Sequence, residues 1–332
     1  MADCGTASIM IGRRGFLLSA SAAFAAGLPV ARAATQSYPA FLAGVRAEAV
    51  GRGLSAAIID RALALRAPNE RVLQLDRHQP EFTLTWAQYR QKVLTPKKIA
   101  DGRAAAASRA ALLAAVSGRY GVDRQPLVGI WGLESAYGTR MGTFHVADAL
   151  ATLAYDGRRA AFFRTELMNA LRILDHGDVE PESMLGSYAG AMGQPQFMPS
   201  AYLRYAVDFT GTGRRDIWNS EPDVMASIAN YLARCGWVGG EPWGQEIMVP
   251  ASLAQAELGR GAVHTLEDWM ARGVRRADGR PFSRADIRGA VLRPDGPGGE
   301  AFMVYRNFSV IRRYNPSDFY ALAVGLLGRD VT

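Results

Sequence analysis

The chain has 332 residues, 49% of them hydrophobic and 21% charged, with a formal net charge of +7. That length can bury a large core without covalent staples, and two cysteines, Cys4 and Cys235, are too few for a disulfide scaffold. The cationic bias is mild and forms no dense basic stripe, which suits an anionic polymer and argues against nucleic-acid binding.

Residues 1–33 read as an export signal. Arg13 and Arg14 precede an apolar, Ala-rich run from Phe16 to Val30, and Ala31-Arg32-Ala33 offers a small-x-small cleavage site. Paired arginines before Phe16-Leu17 point to the twin-arginine route, with a general secretory signal as the alternative. The run is too short for a membrane span. No cysteine stands at the cleavage point, so no lipid anchor is expected. Cleavage removes three arginines, one aspartate and Cys4, leaving a net charge of about +5 and no partner for an internal disulfide.

From Ser37 to Ala107 apolar residues recur at helical spacing (Phe41, Val45, Leu54, Ile58, Leu63), and Ser55 is placed to cap a helix. Gly51-Arg-Gly53 sits between helical runs with no strand before it and reads as a turn. Leu75 to Phe82 reads as a loop turning at Pro80. The Ala-rich stretch Ala104–Val116 is a strong helix former.

The next segment, ending Gly129-Ile-Trp-Gly-Leu-Glu134-Ser-Ala-Tyr-Gly138, predicts a helix with Asp123 as N-cap, Pro126 in its first turn and Gly138 as its stop. Helical spacing surrounds Glu134 with Ile130, Trp131 and Tyr137. A carboxyl group in apolar surroundings is held protonated toward neutral pH, as a general acid requires. A glutamate reaching solvent from a helix end is the competing reading.

Asp148–Leu153 and Ala160–His176 predict helices, with Arg158 and Arg159 in the turn between them. Gly186 to Ser200, rich in Gly, Met and small polar residues, has the composition of a binding loop. Asp208 to Asn219 has the frame of a calcium loop with Gly213 sixth. Thr210, Thr212 and Asn219 stand at ligand positions, so a metal-free turn is expected. Residues 241–303 carry short β-prone runs at 246–249, 290–292 and 301–304. Ser309–Ile311 reads as a strand, and Ser317–Leu327 as a closing helix. The four histidines are isolated, and no phosphate loop or nucleophile elbow appears.

Several ordered motifs together resemble the lytic murein transglycosylase B family: Gln79–Thr85, Val128–Gly138, Asp148–Leu153, Gly186–Gly193, Gln196–Ser200, Asn230-Tyr231 and Arg313–Asn315. The likeness spans Tyr38 to Leu327. It implies a mainly α (α+β) fold: a helical domain at 34–107, a lysozyme-like core at 108–240 and 304–332, and a small β-rich domain at 241–303.

It further implies a periplasmic enzyme that cuts peptidoglycan glycan strands, with Glu134 as its catalytic residue. Arg158, Arg159, Ser187, Gln196, Tyr231, Tyr314, Asn315 and Tyr320 would line the glycan groove. No cofactor or metal is expected, and the implied partners are glycan strands, with cell-wall synthesis or division proteins left open. Glu134 would act first as acid and then as base, giving a 1,6-anhydromuramic end. A water-using muramidase, with Asp148 or Asp156 as base, and a non-catalytic peptidoglycan-binding scaffold are the alternatives.

Overall fold

The computed structural model describes residues 36–77, 84–282 and 284–332. The expected export signal, Cys4 and the turn at Pro80 lie outside the described residues.

Seven helices lead into the first short strand: α1 (Tyr38–Gly51), α2 (Ala56–Ala62), α3 (Glu70–Arg77), α4 (Trp86–Val93), α5 (Pro96–Ser108), α6 (Ala110–Tyr120) and α7 (Arg124–Ser135). Strand β1 (Phe144–His145) pairs antiparallel with β2 (Leu185–Gly186), and α8 (Val146–Asp156) and α9 (Ala160–Asp175) lie between them in sequence. Helices α10 (Pro199–Tyr205) and α11 (Glu221–Arg234) follow. Next come β3 (Gly244–Met248), β4 (Val263–Thr265), α12 (Leu266–Ala271), β5 (Arg275–Arg276), β6 (Arg288–Leu292) and β7 (Ala301–Val304). The chain closes with α13 (Arg306–Tyr314) and α14 (Asp318–Val331).

Local chemistry sets many of these starts. Ser37, Thr85, Thr95, Ser220 and Ser317 each accept a backbone N–H from the first turn of the helix that follows, and Thr85 with Gln88 completes a capping box. Ser55 occupies the N-cap of α2 without a side-chain cap; its own N–H donates to Asp175 instead.

The antiparallel sheet has the order β4-β6-β7-β3-β5. Its strands alternate between two apolar clusters. Ala290, Leu292, Phe302 and Val304 join the large helical core, while Val291, Ala301 and Met303 pack with Ile247, Trp269 and Val274 in a smaller one. Both faces are therefore buried, and the sheet is fused to the helical body.

Two local expectations differ from the structure, and a third, the helix-forming Ala104–Val116, is met in two pieces. Ala104–Val116 is broken at Arg109, whose guanidinium pairs with Glu221 and lies over the Trp131 ring. Ser309–Ile311 is helical, within α13. The β-branched pair there is overridden because Phe308, Ile311 and Tyr314, three apart, bury one helical face, and buried Asn307 ties the helix start to Val238 and Glu241. Leu75–Arg77 completes α3 rather than opening a loop.

Candidate active site

Glu134 lies in the last turn of α7. Asp123 sits at that helix's N-cap position, but its carboxylate accepts from Trp237 Nε1 at 3.0 Å and from the Gly240 N–H rather than from the first turn. The helix stops one residue past Glu134. Ala136 (φ 48°), Tyr137 (φ 59°) and Gly138 (φ 83°) are consecutively left-handed, so the expected glycine stop is the third residue of a strained turn.

Two contacts hold this strained end. Trp131 Nε1 donates to Gln194 Oε1 at 2.7 Å, and Gln194 Nε2 donates to the Trp218 carbonyl at 2.9 Å. At the other side α7 packs on α14 at a distance that only glycine allows: a Cβ on Gly129 would stand 2.3 Å from the Val324 carbonyl oxygen. This close crossing brings Tyr320, on the first turn of α14, to Glu134. Tyr320 Oη donates to Glu134 Oε1 at 2.6 Å.

The Glu134 carboxyl keeps some solvent access but is otherwise enclosed by protein. Burial raises its pKa from 4.5 to about 7, against the opposing pull of the Tyr320 hydroxyl and the Lys98 ammonium. Burial and the nearby carboxylate push Tyr320 and Tyr314 well above 10, and Tyr89 to about 12. These phenols therefore stay neutral around Glu134. Burial and Arg140 lower Lys98, while Glu134 raises it. Among the described residues, no second carboxylate perturbs Glu134.

The other sequence-predicted residues divide into groups. Tyr231 and Tyr314 are buried with ring centroids 4.7 Å apart, and their hydroxyls donate at 2.5 Å to the carbonyls of Arg313 and Pro195. They build a tilted aromatic pair. Gln196 is left-handed (φ 51°), and its Nε2 donates to the Met141 and Gly193 carbonyls, turning the loop beside Gly138. Ser187 Oγ accepts from the N–H groups of Ala189 and Ala191, closing the turn that contains Gly190. Asn315 caps the end of α13 and accepts from Ser317 N–H.

Arg158 and Arg159 both donate to buried Asp76, and no hydrogen bond or ion pair joins them to Glu134. Arg158 also reaches Asp156, which pairs with Arg77, and Asp148 accepts from Asn69 Nδ2 at 2.6 Å. Both aspartates named as bases for a hydrolytic reaction are thus engaged away from Glu134. Glu166 is also raised by burial, but it accepts from the Ser200 N–H at the start of α10 and is closed from solvent.

Sequence reasoning missed Tyr89, Lys98 and Gln194. Tyr89 lies four residues beyond the Thr85 cap, on the face of α4 that packs against Phe319, so the capping signal and its helical offset were the available clues. Nothing in the local sequence distinguished Gln194 from Gln196.

In the Asp208–Asn219 loop, Asp208 accepts from the N–H groups of Gly211, Thr212 and Gly213. Asp216 accepts from the Trp218 and Asn219 N–H groups and from Asn219 Nδ2. Two carboxylates closed on their own loop's donors, with threonines between them, fit a divalent cation poorly.

Residues 37–329 match the transglycosylase SLT domain. The membrane-bound lytic murein transglycosylase B of Escherichia coli is 36% identical over 250 residues, covering 74% of this chain and 67% of that protein. The crystal structure of SltB3 from Pseudomonas aeruginosa in complex with NAG-anhNAM-pentapeptide aligns with a TM-score of 0.86 at 43% identity, over 89% of this chain and 80% of that one. The Escherichia coli lytic transglycosylase Slt35 in complex with calcium aligns with a TM-score of 0.74 at 32% identity, over 88% and 92%. Family match, identity and fold agree: the chain belongs to the transglycosylase SLT domain family and is a lytic murein transglycosylase of peptidoglycan.

Proposed function

We propose that Glu134 alone supplies the acid and base of a non-hydrolytic cleavage of peptide-bearing peptidoglycan strands. The observation that carries this reading is a carboxyl held near pKa 7 beneath Tyr320, with no second carboxylate among the described residues acting on it. Protonated Glu134 gives its proton to the oxygen joining N-acetylmuramic acid to N-acetylglucosamine, and the C1–O bond breaks. Positive charge at C1 is relieved by the substrate's own acetamido group. Glu134, now ionised and poorly solvated, takes the proton of the muramic C6 hydroxyl as that oxygen attacks C1. The product is a 1,6-anhydromuramic end, and Glu134 is returned to its protonated form.

Attack by a tethered hydroxyl outruns water because its effective concentration is high and the site is largely enclosed. The Tyr320 hydrogen bond stabilises the carboxylate formed in the first half and keeps the oxygen aimed. Ser187, Gln196 and Asn315 present polar atoms along the groove, Tyr231 and Tyr314 form its rigid base, and Arg158 and Arg159 extend it toward anionic groups. The reading places the enzyme in the periplasm after loss of residues 1–33. No helix among the described residues is long and apolar enough to cross a membrane.

Glu134→Gln is the test. It keeps the shape and the Tyr320 hydrogen bond but cannot donate a proton as a carboxylic acid does. Turnover of purified sacculi should vanish while glycan binding persists; near-wild-type release by the variant would overturn the assignment.

A further inference from the structure

A pocket of about 510 Å³ lies between β3 with the turn that follows it and the hairpin joining β6 to β7. Ile247, Met248, Val249 and Leu253 give it an aliphatic wall, and the hairpin contributes Pro297, Gly298 and Gly299. Met248 is 49% exposed, so part of this wall is open to solvent. The volume lies within the roughly 300–1,000 Å³ of small-ligand pockets.

The one charged lining residue is Arg293. Its Nε is buried and has no hydrogen-bond partner, and among the described residues no ion pair reaches its guanidinium. The guanidinium is thus left without a protein acceptor, which an anion in the pocket would supply. Acids on the same hairpin do not supply it. Asp295 accepts from the Trp86 and Ala87 N–H groups at 2.6 and 2.9 Å, and Glu300 accepts from Trp86 Nε1 at 2.6 Å and pairs with Arg90. Both are turned to α4, the helix that carries Tyr89 to Glu134. The hairpin thus presents its negative groups to the helical body and its lone cation to the pocket.

We propose that this pocket binds the terminal carboxylate of a short peptide with small apolar side chains. Arg293 holds the carboxylate in a charge-assisted hydrogen bond, and the aliphatic wall takes the methyl-sized side chains. Identifying that peptide with the stem of the substrate rests on the peptidoglycan reading above. The site itself is separate from Glu134, and the hairpin links the two through α4.

N-acetyl-dialanine, assayed in both configurations as the free acid and as its carboxamide, is the probe. It carries no sugar, so its binding is independent of the reaction at Glu134. Titration into the full chain, followed by NMR of the Arg293 Nε–H and of the methionine methyls, should show saturable shifts at about millimolar free acid. The carboxamide should bind about tenfold or more weakly, as should the free acid to Arg293→Gln. Ala254→Glu, which keeps Arg293 and places a competing carboxylate on the lining, should give the same loss and covers the case in which Arg293→Gln does not fold. Equal binding of acid and amide, or no saturable shift with the wild-type chain, would overturn the proposal and leave Arg293 a solvated cation only.

Discussion

Burial of a functional carboxyl costs stability, and that cost is measurable. Glu134 is raised from 4.5 to about 7, mainly by burial, so the folded state holds its proton more tightly than the unfolded chain does. For such a group the stabilising effect of the proton is complete below the unfolded value. It is lost as pH rises toward the folded one. Between about pH 4.5 and pH 7 the wild-type protein therefore gives up roughly 3 kcal/mol at this position, trimmed to about 2 by the carboxyl's remaining solvent contact. Glutamine has no proton to lose and keeps the Tyr320 hydrogen bond. Glu134→Gln should match wild type near pH 4.5 and exceed it by about 2–3 kcal/mol at pH 8, a melting shift of roughly 3–5 °C for a chain of this size. Thermal unfolding of both proteins across that pH range is the assay. A variant no more stable at pH 8 than at pH 4.5, relative to wild type, would refute a buried, strained acid at Glu134.

Other perturbations follow from the same geometry. Muropeptide release should fall as pH rises through about 7, where Glu134 loses its proton. Tyr320→Phe removes a hydrogen bond that favours the carboxylate, so it should move that limb upward by about one pH unit while lowering kcat; a downward move would contradict the assigned sign. Gly129→Ala forces a methyl against the Val324 carbonyl at the crossing of α7 and α14. It should cost about 1–3 kcal/mol and lower the melting temperature in proportion; an unchanged melting temperature would show that the crossing relaxes freely. Calcium at about 1 mM should leave the melting temperature where chelator leaves it, because binding to the native state alone would raise it.

The helical class was legible because apolar residues recur at helical spacing along most of the chain, whereas the two caps read from sequence, Ser55 and Asp123, hold their N-cap positions without a side-chain cap. Glu134 was legible for the same reason: its helix carries apolar neighbours at the offsets that enclose it. What was not legible depends on contacts between distant segments. The break at Arg109 answers to Glu221, and the helix over Ser309–Ile311 answers to a buried face and to Asn307. Strands β4 and β5 are three and two residues long, too short for period-two alternation to declare itself. At the site, Tyr89 and Lys98 come from helices well before Glu134 in sequence, and only the packing of α4, α5, α7 and α14 places them together. Arg158 and Arg159 show the converse. The family resemblance singles out the pair, while the structure shows what holds it, a buried aspartate on α3.

The most direct test of the central claim is mass spectrometry of muropeptides released from purified sacculi by the wild-type chain and by Glu134→Gln. The account predicts wild-type products one water lighter than those of hydrolysis, with anhydromuramic ends, and none from the variant. Reducing muramic ends from the wild type, or anhydro products from Glu134→Gln, would contradict it.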